Sequence, residues 1–400
     1  MQKIGIIGAG ASGLVCSIYA KSKDNLVVVF DKNSFSGKKL LMTGNGRCNY
    51  WNSDQDIKHY HSSSVKLNNI INNDLKDEVL ELFKRLGVVP KIKDGYYYPY
   101  SLQASSIRDL LYNYAKNLGV EFSFDSLVLD IYKENNKFVV VTKEGMEYFD
   151  KIVVATGSKA YPKTGSSGDG YKFAEKFGHT IIPVYPSLVQ VKTKGKFLKE
   201  WSGIRVDSAI SLYEDGVFIK KEVGQLQLTD YGVSGICIFN LSRHIARSTG
   251  NIELLINFLP FLENKDINSF FEEREKLLGD VSILEFLEGM LSYKLISVIG
   301  KVLSFDINRK WNSLKAYEKD KLISHLVSFK VEVIGTLDFT TAQVCQGGVS
   351  LDEVNSSLES LKVEDLFFVG EVLDVDGDCG GYNLGFSFMS GIIVGKEVRK

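Results

Sequence analysis

The sequence predicts an α/β fold around a parallel β-sheet, and the order of apolar segments at both chain ends carries this prediction. An apolar strand over residues 3–7 is followed by glycines, a helix over 14–21 and a second apolar strand over 26–30. Continuous apolar strands around a helix are typical of parallel sheets that are buried on both faces. Near the other end, a strand at 366–369, a glycine-rich loop and a helix over 384–398 repeat this order.

The two ends of the chain are therefore expected to form one domain, comprising residues 1–189 and 346–400. The pattern between them is different. Residues 190–260 and 331–345 are rich in predicted strands, whereas 261–330 show mainly helical spacing. We interpret the middle of the chain as an inserted β-rich domain followed by a helical subdomain.

Three further elements are predicted within the first domain. Apolar residues at helical spacing indicate a helix over 67–86, which would end at Gly87. Asp94-Gly95 lies between two apolar segments and predicts a tight β-hairpin. Residues 120–154 indicate a strand and then a small antiparallel meander, which leads into an apolar strand.

Composition and charge exclude several classes of protein. Of the 400 residues, 44% are hydrophobic and 24% charged, and the formal net charge is -1. Because the basic residues are spread along the chain, no nucleic-acid or membrane partner is expected. The five cysteines are an odd number and form no Cys-x-x-Cys pair, which argues against a disulfide framework, a zinc site and a dithiol redox centre. The five histidines are scattered, and their spacing does not suggest a metal site. Without a signal-peptide pattern or a membrane-spanning apolar run, a cytoplasmic location is expected.

A glycine motif follows the first strand and opens the first helix. Gly8 permits a tight turn, Gly10 lets the backbone approach a pyrophosphate, and Gly13 allows close packing of helix and strand. Asp31 ends the second strand, where its carboxylate can accept hydrogen bonds from a ribose hydroxyl. This arrangement predicts dinucleotide binding, but it does not by itself distinguish FAD from NAD.

Later motifs favour FAD. The strand that ends at residues 155–157 follows a meander, as in flavoproteins with two dinucleotide folds. The Gly370-Glu371 pair at another strand end can place a carboxylate on the ribityl chain of FAD. Residues 380–383 would then direct a helix N-terminus at the flavin pyrimidine ring, whose negative charge in the reduced state the helix dipole favours. An enzyme that uses only a nicotinamide cofactor has no need of this element.

With these motifs, the sequence resembles the FAD-dependent oxidoreductases related to aminoacetone oxidase and a bile-acid dehydro-reductase. The resemblance implies a Rossmann-like FAD-binding domain of the two-dinucleotide-fold flavoprotein type, with inserted β-rich and helical subdomains and a substrate space that faces the flavin. The matching segments are residues 8–14, 37–40, 43–49, 155–157, 161–166, 168–171, 186–188, 347–349, 370–377 and 380–384.

The motifs and the resemblance together indicate the residues that contact FAD, whereas no residue is singled out as the general acid or base. Arg47 is expected to place positive charge near the pyrophosphate or the flavin. The predicted cofactor-binding residues are Gly8, Gly10, Ala11, Ser12, Gly13, Asp31, Lys32, Lys39, Thr43, Gly46, Arg47, Cys48, Ala155, Thr156, Gly157, Gly370, Glu371, Asp376, Gly381, Tyr382, Asn383 and Leu384.

The sequence departs from the family's pattern at a few positions. Ser158 stands where the family usually has a second glycine. Asp230 and Ile236 stand where a histidine and a proline are usual, and residues 357–361 lack a lysine. The departures at 230 and 236 fall in the inserted region. If the histidine serves the substrate in relatives, its absence implies a different substrate or a weaker acid or base.

The expected function is flavin redox chemistry, with hydride transfer between FAD and a small organic substrate. NADH or NADPH is one candidate reductant. Oxygen as the acceptor stays open, because the inserted region has no second Gly-x-Gly-x-x-Gly motif. Two alternatives are an FAD-containing RNA-modification or scaffold protein without redox turnover on a small substrate, and a nicotinamide-only dehydrogenase. The near-neutral charge counts against the first, and the sequence does not indicate the oligomeric state.

Overall fold

The computed structural model describes residues 1–263 and 265–400, and the chain divides into two compact units. The first unit comprises residues 1–185 and 339–400, and the second comprises 186–338. The two ends of the chain thus fold together, and the middle of the chain folds as an insertion.

The helices and strands follow one another along the chain through the first unit, the second unit and the first unit again. The first unit begins with β1 Gln2–Ile7, α1 Ala11–Ala20, β2 Asn25–Phe30, β3 Trp51–Asn52, β4 Tyr60–His61, α2 Leu67–Ile70, α3 Asn73–Arg85, β5 Pro90–Lys93, β6 Tyr96–Pro99, α4 Ala104–Asn117, β7 Glu121–Ser123, β8 Asp130–Glu134, β9 Lys137–Val141, β10 Met146–Phe149, β11 Lys151–Val154, α5 Asp169–Lys176 and β12 Ile181–Ser187. The second unit contains β13 Val191–Thr193, α6 Leu198–Trp201, β14 Arg205–Glu214, β15 Val217–Leu228, β16 Gly232–Gly235, α7 Ile236–Arg247, β17 Ile252–Asn257, α8 Ile267–Leu278, α9 Ile283–Glu288, α10 Tyr293–Leu303, α11 Ala316–Val327 and β18 Phe329–Thr336. The chain then returns to the first unit with β19 Val344–Val349, β20 Leu366–Phe368, β21 Asp376–Gly377 and α12 Tyr382–Val398.

The first unit is organised around a five-stranded sheet in the order β20-β11-β1-β2-β7. Every neighbouring pair in this sheet is parallel. Ile4 and Ile6 of the central strand β1 are fully buried. The predicted α/β fold with a parallel sheet is therefore confirmed. All these strands point their carboxyl ends to one edge, which is where open α/β sheets bind ligands.

Local predictions in the first unit were confirmed at the hairpin but were wrong for one helix. The β5–β6 hairpin turns at Asp94 and Gly95, which have φ values of 50° and 82°, as a primed two-residue turn requires. The single helix predicted over 67–86 is instead two helices, α2 and α3. The side chain of Asn72 accepts a hydrogen bond from the backbone N–H of Leu75, so a new helix starts there.

The second unit is a closed antiparallel barrel in the order β13-β16-β15-β14-β17-β18, with helices packed against it. Helix α7 lies within the segment predicted to be β-rich, and the sequence pattern did not indicate it. Residues of the barrel and of α8–α11 form one hydrophobic cluster, in which the rings of Phe286 and Trp311 stack at 3.7 Å. The separation into a β-rich domain and a helical subdomain stays a prediction, because these parts share one core.

Helix α12 packs against α1 at very short range, and glycines permit this approach. A Cβ on Gly391 would lie 2.7 Å from the carbonyl oxygen of Ser12. A Cβ on Gly395 would lie 2.7 Å from the carbonyl oxygen of Cys16 and 2.6 Å from the Cβ of Tyr19. The close approach packs the first turn of α1 directly against α12.

We expect Gly391→Ala to destabilise the protein by about 1–3 kcal/mol, because the added methyl group overpacks the α1–α12 contact. Alanine is the better helix former by about 1 kcal/mol, so a net loss would report the clash. Urea unfolding of the purified chain measures the change. Gly224→Ala is the control, because the nearest atom to its Cβ lies at 3.8 Å. Equal stabilities of the two variants would contradict the argument.

Candidate functional site

The glycine motif at the junction of β1 and α1 has two glycines that cannot carry a side chain, Gly8 and Gly13, and one that can. Gly8 has φ 113°, and a Cβ there would lie 2.4 Å from the carbonyl oxygen of Ala155. A Cβ on Gly13 would lie 1.9 Å from the carbonyl oxygen of Gly8. At Gly10, by contrast, φ is -78° and no heavy atom lies within 4 Å of a Cβ position. No contact within the protein requires glycine at position 10. The space next to its Cα is open, and a ligand that approaches the backbone can occupy it.

Helix α1 begins at this loop without a side-chain cap. Gly10 occupies the N-cap position, and Ala11 and Ser12 form the first turn. Unpaired N–H groups and the positive end of the helix dipole at such a terminus favour a phosphate. The glycine loop thus fits the pyrophosphate of a dinucleotide.

Asp31 follows β2 and lies against the same loop. Its Oδ2 accepts a hydrogen bond from the N–H of Ala9 at 2.8 Å, and its Oδ1 accepts one from the N–H of Asn33 at 2.8 Å. Oδ1 also accepts a hydrogen bond from the side-chain amide of Asn33 at 2.9 Å. Oδ2 can accept a second hydrogen bond, so the predicted contact to a ribose hydroxyl is chemically compatible with this oxygen. Its role in binding stays a prediction.

Lys32 links the end of β2 to the residues at the start of α5 through an ion pair and a hydrogen bond. Its Nζ forms an ion pair with Asp169 at 2.6 Å and a hydrogen bond to Ser167. Burial would raise the pKa of Asp169, but the hydrogen bonds from Lys32 and Ser167 hold it below its usual value. The charge of Lys32 is thus compensated within the protein.

The segment after β11 contains the predicted residues Ala155, Thr156 and Gly157. The N–H of Ala155 donates to the carbonyl oxygen of Ile7 at 2.9 Å, which ties the segment to the end of β1. Gly157 has φ 71°, a conformation that favours glycine. These residues therefore lie beside the glycine loop at the carboxyl edge of the sheet.

The loop over residues 40–48 is held by its own residues and presents one arginine to solvent. Thr43 Oγ1 donates to the carbonyl oxygen of Leu40 at 2.7 Å, and Gly46 has φ 81°. Cys48 is buried, and burial raises the pKa of its thiol to about 12, so it serves packing rather than thiolate chemistry. The side chain of Arg47 is exposed and forms no hydrogen bond or ion pair with a described residue, which leaves its charge available to an anion.

Gly370 and Glu371 connect three segments of the site. Gly370 has φ 70°, and a Cβ there would lie 2.6 Å from Ser12 Oγ. Glu371 Oε2 forms an ion pair with Lys39 at 2.6 Å and accepts a hydrogen bond from Ser158 at 3.2 Å. The structure thus brings together residues that the sequence places more than 300 positions apart.

Helix α12 begins where the sequence predicted a flavin-facing terminus. Gly381 is its N-cap, with φ 95° and no side-chain cap, and Tyr382 and Leu384 lie in the first turn. A Cβ on Gly381 would lie 2.7 Å from the backbone of Trp51. Only glycine fits this position, and the helix terminus is held close to β3.

Asp376 and Asn383 shape the turn before this helix. Asp376 lies in β21, which pairs with β4 opposite His61. The side chain of Asn383 accepts from the N–H of Gly377 at 2.9 Å and donates to its carbonyl oxygen at 2.8 Å. The side chain of Asn383 therefore supports the loop, and contacts to FAD stay predictions for both residues.

A chain of histidines and carboxylates next to α12 was missed by the sequence analysis. His59 contacts Asp54 through Nε2 at 3.1 Å and Asp378 through Nδ1 at 3.0 Å, and His61 Nε2 contacts Asp378 at 3.1 Å. The ring of His59 also stacks on Tyr382 with 4.5 Å between centroids. Hydrogen bonds from His59 and Lys58 lower the pKa of Asp54 to about 2. We call His59, His61, Asp54 and Asp378 the histidine–carboxylate chain.

Of the positions at which the sequence departs from the family, Ser158 hydrogen-bonds Glu371 in the first unit, whereas two others lie in the second unit. Asp230 is exposed and Ile236 begins α7, both in the second unit. Among the described residues, no group of three or more His, Cys, Asp or Glu side chains is arranged to hold a metal ion. Within the same residues, no helix has the length and apolar character needed to cross a membrane.

Comparison with known proteins identifies the family. Residues 2–397 match the family model described as the HI0933-like protein Rossmann domain. The chain belongs to the HI0933-like family. This membership and the folded glycine loop confirm the predicted class, a Rossmann-type flavoprotein oxidoreductase that binds FAD.

Two curated relatives are similar over their whole length. The 3-dehydro-bile acid delta(4,6)-reductase of Clostridium scindens is 34% identical over 408 residues, which cover 100% of each chain. The ribosomal RNA dihydrouridine synthase of Escherichia coli is 30% identical over 391 residues, or 96% of this chain and 95% of that protein.

Among solved structures, the 3-ketosteroid-delta4-(5alpha)-dehydrogenase from Rhodococcus jostii RHA1 in complex with 4-androstene-3,17-dione matches with a TM-score of 0.49 and 14% identity. The match covers 100% of this chain and 97% of that one.

We expect Gly10→Ala to weaken FAD binding roughly tenfold or more while leaving the unfolding temperature of the FAD-free protein unchanged. The added Cβ meets no protein atom, so it obstructs only a ligand that approaches the backbone. Flavin fluorescence titration and thermal unfolding measure the two effects. Gly13→Ala is the comparison variant and should fail to fold stably, because its Cβ overlaps Gly8. Unchanged FAD affinity in Gly10→Ala would contradict this placement of the cofactor.

Proposed function

We propose that this protein is an FAD-dependent reductase that saturates a carbon–carbon double bond conjugated to a carbonyl group in a small organic substrate. The single observation that carries the cofactor part is the carboxyl edge of the parallel sheet. There the open space at Gly10, the uncapped start of α1 and the carboxylate of Glu371 are held together by the ends of β1, β11 and β20.

The names of two relatives support the reaction class. One relative is a reductase of a 3-dehydro-bile acid at its delta(4,6) positions, and another forms dihydrouridine in ribosomal RNA. A 4,6-diene next to a 3-oxo group and the double bond of uracil are both conjugated to a carbonyl. Both reactions add hydrogen across such a bond, although their substrates differ greatly in size. We infer that this chain performs the same type of addition.

The protein groups have separate tasks in this reaction. Bound FAD would supply the hydride, which is the chemistry the protein itself lacks. The dipole of α12 favours negative charge near its N-terminus at Gly381, and Arg47 offers a positive charge to the pyrophosphate. Glu371 offers a carboxylate to hydroxyl groups of the cofactor. These contacts orient the cofactor and compensate its charge.

Saturation of a double bond also requires a proton, and the histidine–carboxylate chain is the proposed source. Asp54 is half exposed, with 53% of its side chain accessible, whereas the side chain of Asp378 is only 13% accessible. His59 bridges these two carboxylates, and His61 contacts the inner one. The chain therefore links solvent to the loop immediately before α12 through a continuous series of hydrogen-bonded polar groups.

The direction of the reaction and the reductant are tested by anaerobic mixing of the FAD-loaded protein with NADH or NADPH. We expect one of them to bleach the flavin. Addition of a 3-oxo-delta(4,6) bile acid should then restore the flavin colour without oxygen and saturate one double bond per reduced flavin. Reoxidation by oxygen alone would favour an oxidase, and a protein that binds no FAD would overturn the proposal.

A second candidate is the same addition on uracil in ribosomal RNA. Relatives from Escherichia coli and Haemophilus influenzae, 30% and 27% identical, are both ribosomal RNA dihydrouridine synthases. The comparisons therefore do not support the expectation that the protein has no nucleic-acid partner. Formation of dihydrouridine in an rRNA transcript, together with salt-dependent binding of that transcript, would favour this candidate.

We expect Asp378→Asn to slow product formation from the prereduced protein by about 10²-fold, because both histidines lose their shared carboxylate. The rate of flavin bleaching by the reductant should stay within a factor of two. Stopped-flow absorbance measures both half-reactions. Asp130→Asn, which removes an exposed ion pair with Lys176, is the control and should change neither rate. Equal slowing of the two half-reactions would indicate a structural role instead.

A further inference from the structure

Strand β6 carries two tyrosines on one face and a third tyrosine on the other. Side chains alternate between the two faces of a β-strand, so Tyr97 points away from the face that holds Tyr96 and Tyr98. The ring of Tyr97 packs edge-on against Tyr50, with 6.1 Å between the centroids, at the hydrophobic core of the first unit. Tyr96 and Tyr98 therefore lie on the face of the β5–β6 hairpin that is turned away from this core.

This face of the hairpin lies against two loops of the candidate site. A Cβ on Gly380, in the loop before α12, would lie 2.7 Å from Cε1 of Tyr96. A Cβ on Gly44, in the loop over residues 40–48, would lie 3.6 Å from Cε1 of Tyr98. Both loops contain or adjoin residues that were predicted to bind the cofactor. The hairpin thus places an aromatic pair next to the segments that are expected to surround the flavin.

The hydroxyl of Tyr98 is a hydrogen-bond donor that the protein does not use. The side chain is partly exposed, and no described residue forms a hydrogen bond with its hydroxyl. Burial raises the pKa of Tyr98 and the neighbouring Cys379 raises it further, whereas the positive charge of Arg47 lowers it. The phenol therefore keeps its proton at neutral pH, and the guanidinium of Arg47 makes it a better donor to a negatively charged oxygen.

Reduction of a conjugated double bond places negative charge on the carbonyl oxygen. The hydride from bound FAD adds to the carbon of the double bond that is farther from the carbonyl. The electron pair of that bond moves towards the carbonyl, and the substrate becomes an enolate. A donor held at this oxygen stabilises the enolate more than the uncharged carbonyl, which lowers the barrier. The enolate then takes a proton on carbon from the histidine–carboxylate chain, and the carbonyl forms again.

We propose that Tyr98 is a catalytic residue, whose hydroxyl donates a hydrogen bond to the carbonyl oxygen of the substrate and stabilises the enolate. This inference rests on the proposed function and assigns a recognition contact to its substrate class. The phenolic proton stays on Tyr98, so this task is separate from that of the proton source. The same donor suits a 3-oxo-4,6-diene and a uracil ring, because each has an oxygen that is conjugated to the double bond.

The test is the oxidative half-reaction of the full-length, FAD-loaded protein. Tyr98→Phe should slow reoxidation of the prereduced flavin by a 3-oxo-delta(4,6) bile acid by about 10²-fold, the usual effect of removing one donor to a developing oxyanion. Flavin bleaching by the nicotinamide reductant and the affinity for FAD should both stay within a factor of two. Stopped-flow absorbance measures the two half-reactions, and flavin fluorescence titration measures the affinity.

Tyr97→Phe is the matched control, because it removes the same hydroxyl from the next residue of the same strand, on the face towards the core. It should change neither half-reaction more than twofold. A second measurement detects the hydrogen bond itself. In infrared difference spectra of the oxidised protein, a substrate labelled with ¹³C at the carbonyl should show a lower C=O stretching frequency in the wild type than in Tyr98→Phe. A structural role of Tyr98 would not shift this band.

The outcomes separate this role from the proposed function. Reoxidation of Tyr98→Phe as fast as that of the control, or an equal carbonyl frequency in wild type and variant, would overturn the role of Tyr98 and leave the reductase intact. If an rRNA transcript reoxidises the flavin and the bile acid does not, the same two variants are compared with the transcript, and the same rates decide. A wild-type protein that neither substrate reoxidises overturns the proposed function and this role together.

Discussion

The approach of backbone to backbone at the carboxyl edge of the parallel sheet is the constraint on which the candidate site depends. At Gly8 and Gly13, a Cβ would lie 2.4 Å and 1.9 Å from a backbone carbonyl oxygen, and at Gly370 it would lie 2.6 Å from Ser12 Oγ. Because glycine has no side chain, the ends of β1, β11 and β20 can lie this close to one another. The space left at Gly10 is a consequence, because the surrounding loops are packed tightly enough to hold their shape when no side chain fills it.

Charge compensation within the protein determines which groups are left for a ligand. Lys32 is neutralised by Asp169, and Lys39 by Glu371, so neither cation is available as a free charge. Arg47 is exposed and pairs with no carboxylate among the described residues. Since the pyrophosphate of a dinucleotide carries negative charge, an unpaired guanidinium is the group that gains most from it. The motif residues therefore divide into those that build the loops and those that face outward.

The sequence predicted the fold of the first unit well because each element there is marked locally. Apolar strands, glycine turns and the Asp94-Gly95 hairpin are properties of consecutive residues. The helix break at Asn72 was missed, because the apolar spacing continues past the residue whose side chain caps α3. Helix α7 was missed, because its segment lies between segments that were predicted to be strands. Glu371 was predicted from its strand-end position, whereas its partners Lys39 and Ser158 follow only from the folded chain. The histidine–carboxylate chain joins His59 to Asp378 across more than 300 positions, and single histidines carry no pattern.

The choice of the histidine–carboxylate chain as proton source follows from what burial does to the alternatives. Cys379 lies in the same loop, but burial raises the pKa of its thiol to about 12, and burial also raises the pKa of Tyr382. Groups with such pKa values hold their protons at neutral pH and are poor general acids. His59 and His61 keep about a fifth of their side-chain surface accessible, and Asp54 connects them to water. A reductase must take a new proton from solvent in every turnover, and this chain of contacts is the arrangement near α12 that supplies a route for it.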